Sequence, residues 1–154
     1  MTFDPTRHRT HPLRSFDDFE IGEVHRAPSR TMTEAVFAAF QTVSGDNHPI
    51  HYDREYLRRQ GHRDLMAHGL QTASQVAIGA MPLAHQMGEN LIAFVEQSSR
   101  FLAPVYCGDT LYPAIEITAK DRGRTTGTIT LAVTVHNQSG KLVLDGHHKV
   151  LMRL

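Results

Sequence analysis

Over the last third of the chain the apolar residues recur at every second position. Ile115 and Ile117 alternate with Glu116 and Thr118, and Ile129, Leu131, Val133 and Val135 alternate with Thr128, Thr130 and Thr134; Leu142 and Leu144 then lead on to Val150, Met152 and Leu154. Period two is the repeat of a strand with one face on a core and the other in water. Asp121-Arg122-Gly123 and Gln138-Ser139-Gly140 interrupt the runs with residues that tolerate tight-turn backbone angles, so three successive antiparallel strands are expected. Such a sheet has one apolar face to cover, and the rest of the chain must supply the cover.

Upstream the period becomes helical. Thr31 and Glu34 have the spacing of a capping box, and Val36, Phe37, Phe40 and Val43 then recur on one face of a helix over residues 32–43 that ends at Ser44-Gly45. A short polar helix is expected near Asp53 to Arg59. A second long helix is expected from Gly69 toward Met81, with Leu70, Ala73, Val76, Ala77 and Ala80 as its apolar stripe and Pro82 near its end. Its small residues allow close approach to a sheet or to an acyl chain. A strand over residues 91–105 and an extended stretch around Glu23 to Thr31 bring the total to about five strands wrapped around one buried helix, an α+β arrangement. Residues 1–15, polar and interrupted by Pro5 and Pro12, read as an arm lying on the surface or on a partner subunit, leaving 16–154 as one domain.

Composition narrows the classes of function. Sixteen Lys and Arg balance sixteen Asp and Glu, so the chain lacks the positive field of a nucleic-acid binder. The single cysteine, Cys107, can neither form an internal bridge nor complete a thiolate cage, which fits a reducing cytoplasm. The first twenty residues have no apolar signal-peptide core, and no window reaches the eighteen or so apolar residues of a membrane span, so a soluble, unprocessed protein without a membrane partner is expected.

The chemistry concentrates in Ser44-Gly45-Asp46-Asn47-His48-Pro49-Ile50-His51, between two helices. Gly45 permits a positive φ, Pro49 fixes its own φ, and Pro49 also presses His48 into an extended conformation. Fully extended, the five residues from Asp46 to His51 would span roughly 17 Å, so only a folded loop brings the two side chains to one water or one substrate carbon. Once together, a carboxylate and an imidazole form a general acid/base pair that can activate water. From residue types alone the alternative stands open: Asp46 caps the following turn, and His51 is one of eleven ordinary histidines.

This loop resembles the signature of MaoC-like proteins and (R)-specific enoyl-CoA hydratases, in which Ser-Gly-Asp is followed by Pro, an aliphatic residue and His. Four further segments resemble the family in the same order: Phe16-Asp17-Asp18-Phe19-Glu20-Ile21-Gly22-Glu23, Arg30-Thr31-Met32-Thr33-Glu34, Ala67-His68-Gly69-Leu70, and Arg100 through Leu111. The resemblance implies a hot-dog fold and reversible addition of water to a 2-enoyl thioester. It places Asp46 and His51 on the catalytic positions and the backbone N–H of Gly69 in the oxyanion hole. Relatives usually carry Asn where this chain has His48, so His48 stands as a possible modulator of substrate preference. Coenzyme A or a carrier protein would enter as part of the substrate, with no separate cofactor.

No metal is expected, because His147 and His148 are neighbours on a strand and point to opposite faces. The implied assembly is a homodimer or a dimer of dimers. Two other functions fit the same fold: an acyl-CoA thioesterase, and a non-catalytic acyl-CoA-binding module.

Overall fold

The computed structural model describes residues 3–154. The three C-terminal strands form where the alternation places them: β4 is Thr110–Arg122, β5 Thr126–Asn137 and β6 Leu142–Arg153, each antiparallel to the next. Ile115, Ile117, Ile129, Leu131, Val133 and Val150 are each at most 1% exposed. Burying a side chain of this size stabilises the fold by about 1.5–3 kcal/mol, which fixes the register, because a one-residue slip would turn each of them to water. In the β5–β6 turn Gly140 adopts a φ of 74°, which glycine reaches at least cost.

Three earlier strands complete the sheet: β1 (Val24–Arg26), β2 (Arg30–Thr31) and β3 (Leu91–Phe101). The order is β1-β4-β5-β6-β3, with β2 also pairing β4, so the sheet has six strands where about five are expected. The strand over 91–105 ends early, at Phe101. The stretch around residue 25 divides into two pieces on β4.

The helical layer departs more from expectation. Helix α1 is Glu34–Ser44, and its cap is Thr33, whose Oγ1 accepts the Val36 N–H at 3.3 Å. Thr31 is drawn instead into β2, where its hydroxyl meets that of Thr110 at 2.8 Å. Phe37 is buried, but Val43 at the end of the expected stripe is 86% exposed. The short helix α2, Arg54–Arg59, starts at Asp53 as expected.

The expected helix over 69–81 is not continuous. Helix α3 is Gly69–Ala73; 3₁₀ turns follow at Ser74–Val76 and Ile78–Ala80, and α4 is Pro82–Met87. Side-chain donors compete for the carbonyls that an α-helix needs: Ser74 Oγ donates to Gln71 O at 2.7 Å, Gln75 Nε2 to the same oxygen at 3.0 Å, and Thr72 Oγ1 to His68 O at 3.3 Å. Ala77 is extended, and so is Met81 before Pro82. The buried face therefore carries Gln71, Thr72, Gln75 and Val76, while Leu70 of the expected stripe is 69% exposed.

Two polar clusters tie loops to this frame. Arg14, on the segment leading from the arm into the domain, donates to Glu23 at 2.6 and 2.8 Å and pulls the Glu23 carboxyl down to a pKa of about 2. The arm itself is held by Arg9 to Glu89 at 2.8 Å. At the start of β4, Asp109 is 2% exposed. It accepts from Arg63 at 2.6 Å, Gln138 at 2.8 Å and the Tyr106 N–H at 2.8 Å. Burial pushes its pKa up, but these donors outweigh burial and hold it low. Among the described residues no helix is long and apolar enough to cross a membrane.

Candidate active site

The loop from Ser44 to His51 folds back on itself. Gly45 closes α1 in the left-handed region with φ 70°, its N–H bonding Gln41 O. Pro49 opens a 3₁₀ turn, Pro49–His51. Asp46 Oδ1 accepts the His48 N–H at 3.2 Å, and Oδ2 lies 3.7 Å from His51 Nε2. The two residues that the sequence singles out are thus brought together. The separation is too long for a direct hydrogen bond, and a water lying to one side of the line between the two atoms can reach both.

The His51 tautomer follows from its partners. Nδ1 is 2.7 Å from the carbonyl of Met66, which can only accept, so Nδ1 carries the proton and Nε2 presents its lone pair toward Asp46. Met66 is itself fixed, its N–H donating to Ile50 O at 3.1 Å. The His51 side chain is 11% exposed and that of Asp46 51%. Burial lowers the His51 pKa; the Met66 bond and the Asp46 charge pull it back, while His68 and His48 lower it further. His48 points its Nδ1 at the Ile50 N–H at 3.3 Å as the cap of the 3₁₀ turn, with its ring edge toward Tyr56 and His51.

Gly69 is the first residue of α3, so its N–H precedes the first helical hydrogen bond, made by Thr72 to His68 O. A Cβ at Gly69 would stand 3.2 Å from the Phe101 ring, so close packing also favours glycine there. Beside it opens a cleft of about 480 Å³, lined by His62, Met66, Thr72 and residues 101–105.

His68 is the member of the site that the residue pattern does not single out. It is 2% exposed; its ring stacks on His51 with centroids 3.5 Å apart and planes at 21°, and its Nε2 donates to the carbonyl of Asp46 at 3.1 Å. Asp46, His51 and His68 each bring one ligand-type atom within 4.8 Å of the others. Zinc ligands at about 2.0 Å would lie only about 3.3 Å apart, and lone pairs in nearly parallel ring planes do not converge on one point. As placed, the stacked rings do not aim their lone pairs at one point, and the His68 Nε2–H is already given to Asp46 O.

A second imidazole cluster sits on the outer face of the sheet. His147 Nδ1 meets Ser98 Oγ at 2.7 Å, its Nε2 meets Glu96 Oε1 at 2.5 Å, and Lys149 reaches the other oxygen of Glu96 at 2.7 Å. Its neighbour on the strand, His148, turns inward, 2% exposed.

Known proteins resemble this chain along most of its length. Residues 18–138 match the model of the MaoC-like domain. An (R)-specific enoyl-CoA hydratase from Rhodospirillum rubrum is 28% identical over 140 residues, covering 91% of this chain and 92% of the relative. The structure of an (R)-hydratase from A. caviae superposes with a TM-score of 0.74 at 30% identity, over 86% of this chain and 96% of that one. An R-hydratase from Pseudomonas aeruginosa in its unliganded form gives 0.76 at 26%, over 90% and 84%. A sheet wrapped on a helical layer, a match over most of the length, and relatives alike along nearly the whole chain lead to one conclusion: the chain belongs to the MaoC-like domain family and has its hot-dog fold.

Proposed function

We propose that the chain catalyses reversible hydration of a 2-enoyl thioester to the 3-hydroxyacyl thioester, with Asp46 and His51 as the acid/base pair and the Gly69 N–H as oxyanion donor. The observation that carries this reading is a His51 Nε2 lone pair facing Asp46 Oδ2 at 3.7 Å, near enough for both to reach one water beside them. The names of the relatives, (R)-specific enoyl-CoA hydratase and 3-hydroxybutyryl-CoA dehydratase, support the substrate class.

In the hydration direction His51 Nε2 takes a proton from the bridging water while its oxygen attacks C3. The C2–C3 π electrons move onto the thioester oxygen, where the Gly69 N–H meets the new charge; a donor so placed is worth about 3 kcal/mol in other oxyanion sites. The proton on His51 passes to Asp46 and from there to C2, which returns both groups to their starting states. The thioester lies in the cleft beside Gly69, whose volume suits a small ligand. The substrate's coenzyme A or carrier-protein arm would leave through its mouth.

The working form is proposed as a homodimer. Strand β3 is a sheet edge with unpaired backbone groups, and it carries exposed Ile92, Phe94, Val95 and Phe101 beside exposed Leu102 and Leu70. A second copy would pair that edge and cover that surface.

The test is incubation of the purified chain with crotonyl-CoA and with saturated acyl-CoA, following product and free thiol, alongside sedimentation to read a mass twice 17.3 kDa. Hydration without thiol release is expected. Asp46→Asn and His51→Ala should stay folded by circular dichroism and lose about two to four orders of magnitude in turnover. Thiol release would favour a thioesterase, binding without turnover an acyl-CoA-binding module, and full activity in both variants would sink the pair.

A further inference from the structure

We infer that His68 is a positioning residue for this reaction: it holds the Asp46 backbone by its Nε2–H and holds the His51 ring by stacking, so that one side chain braces acid and base together. The inference rests on the hydration reading above. It is carried by three contacts of one buried ring, together with its place in the chain.

The first contact is with Asp46. The carboxylate stands on an exposed loop, and the loop's own bonds are local: Asp46 N–H to Ser44 Oγ at 3.2 Å and Oδ1 to the His48 N–H at 3.2 Å. These shape the turn, and Gln41 of α1 ties the neighbouring Asn47 through Nε2 to Oδ1 at 2.6 Å. The bond from His68 Nε2 to Asp46 O, at 3.1 Å, spans 22 residues and holds Asp46 itself from the opposite element. The second contact is with His51, whose ring lies between the Met66 carbonyl at one edge and the His68 face. The third is with Phe40 of α1, 5.1 Å from His68 between ring centroids, which closes the far side of the stack.

His68 also directly precedes Gly69, and its own carbonyl accepts the first bond of α3 at 3.0 Å from Thr72. Rotation of this one residue would therefore move Asp46, His51 and the oxyanion donor together. Groups that orient reacting residues from behind typically change rates by about 10- to 100-fold when removed.

The titratable groups facing His51 are few. Asp46 and His48 belong to its own loop and Tyr52 follows it; Glu34 of α1 lines the adjoining cleft with its charge paired to Arg54; His68 comes from the start of α3. Burial is the main reason that the His51 pKa is low, and His68 adds to it. The His68 contribution is coulombic, so replacing its imidazole by any uncharged side chain should raise the His51 pKa.

Two substitutions separate the contacts. His68→Phe keeps a ring against His51 and loses the N–H; His68→Gln keeps a donor near the Nε2 position and loses the ring. For His68→Phe we expect crotonyl-CoA turnover to fall about 10- to 100-fold with KM within about twofold. For His68→Gln we expect a smaller loss, with the acid limb of kcat moved to higher pH because more His51 is protonated at a given pH. Long-range proton–nitrogen spectra of ¹⁵N-labelled protein give the His51 tautomer and titration midpoint independently of turnover, and the midpoint should rise in both variants. Wild-type turnover, pH profile and His51 midpoint in both variants would overturn the inference. If that occurs while Asp46→Asn and His51→Ala are inactive, the pair stands and only the role of His68 fails; if those two are active, the hydration reading itself fails.

Discussion

The imidazole cluster on the sheet and the one in the 46–51 loop differ in how their ring nitrogens are engaged. On the outer face of the sheet both ring nitrogens of His147 are engaged at 2.7 and 2.5 Å, and Lys149 shares Glu96. In the loop cluster one ring nitrogen of His51 is tied to Met66, and the other faces Asp46 across 3.7 Å. The first is a closed network in which each polar atom already has its partner; the second leaves an imidazole lone pair facing a carboxylate oxygen. Exposure sharpens the contrast, since the His147 side chain is 43% exposed and that of His51 11%.

The largest test of that contrast is to close the gap. Asp46→Glu carries the carboxylate one methylene further toward His51, displacing the water while keeping charge and chemistry. Turnover of crotonyl-CoA should fall about a hundredfold with the melting temperature unchanged; wild-type turnover would show that the spacing is not what matters. A smaller effect concerns pH. The proposed hydration needs His51 unprotonated, and burial holds its pKa below the ordinary 6.5 in the free protein. The kcat/KM should therefore be maintained as pH falls to 6.5 and be lost only as it drops through the lowered value; a limb in kcat/KM at or above 6.5 would contradict the burial argument. The smallest effect is expected at the closed cluster. His147→Ala and Ser98→Ala should leave turnover within about twofold and shift the melting temperature by no more than about 4 °C, because exposed ion pairs contribute little.

The sheet is legible in the sequence because alternation and turn residues act locally, and Ile129 or Val133 has one sensible side to face. The 46–51 loop is legible for a similar reason, since Gly45 and Pro49 constrain their own backbones. The helical layer is not, because Gln71, Ser74 and Gln75 settle its course by side-chain bonds that a hydrophobic period does not register. The cap of α1 falls on Thr33 and not on the expected Thr31, because β2 takes Thr31. His68 is missed because its partners lie far along the chain; the available signal is a histidine directly before the glycine that opens α3.

The way residues 46–51 are fastened has a consequence for how the protein loses function on warming. The strands are secured by continuous ladders and a shared core, so they open only when the whole domain does. The loop is secured to the body by a handful of separate bonds: His68 to Asp46, His51 to Met66, Gln41 to Asn47, and the Met66 N–H to Ile50. Breaking these demands far less than melting a sheet, so local opening of this segment is expected to precede global unfolding. Under the proposed function, catalytic competence and thermal integrity become separate properties: activity is expected to fade across temperatures at which the sheet is still whole.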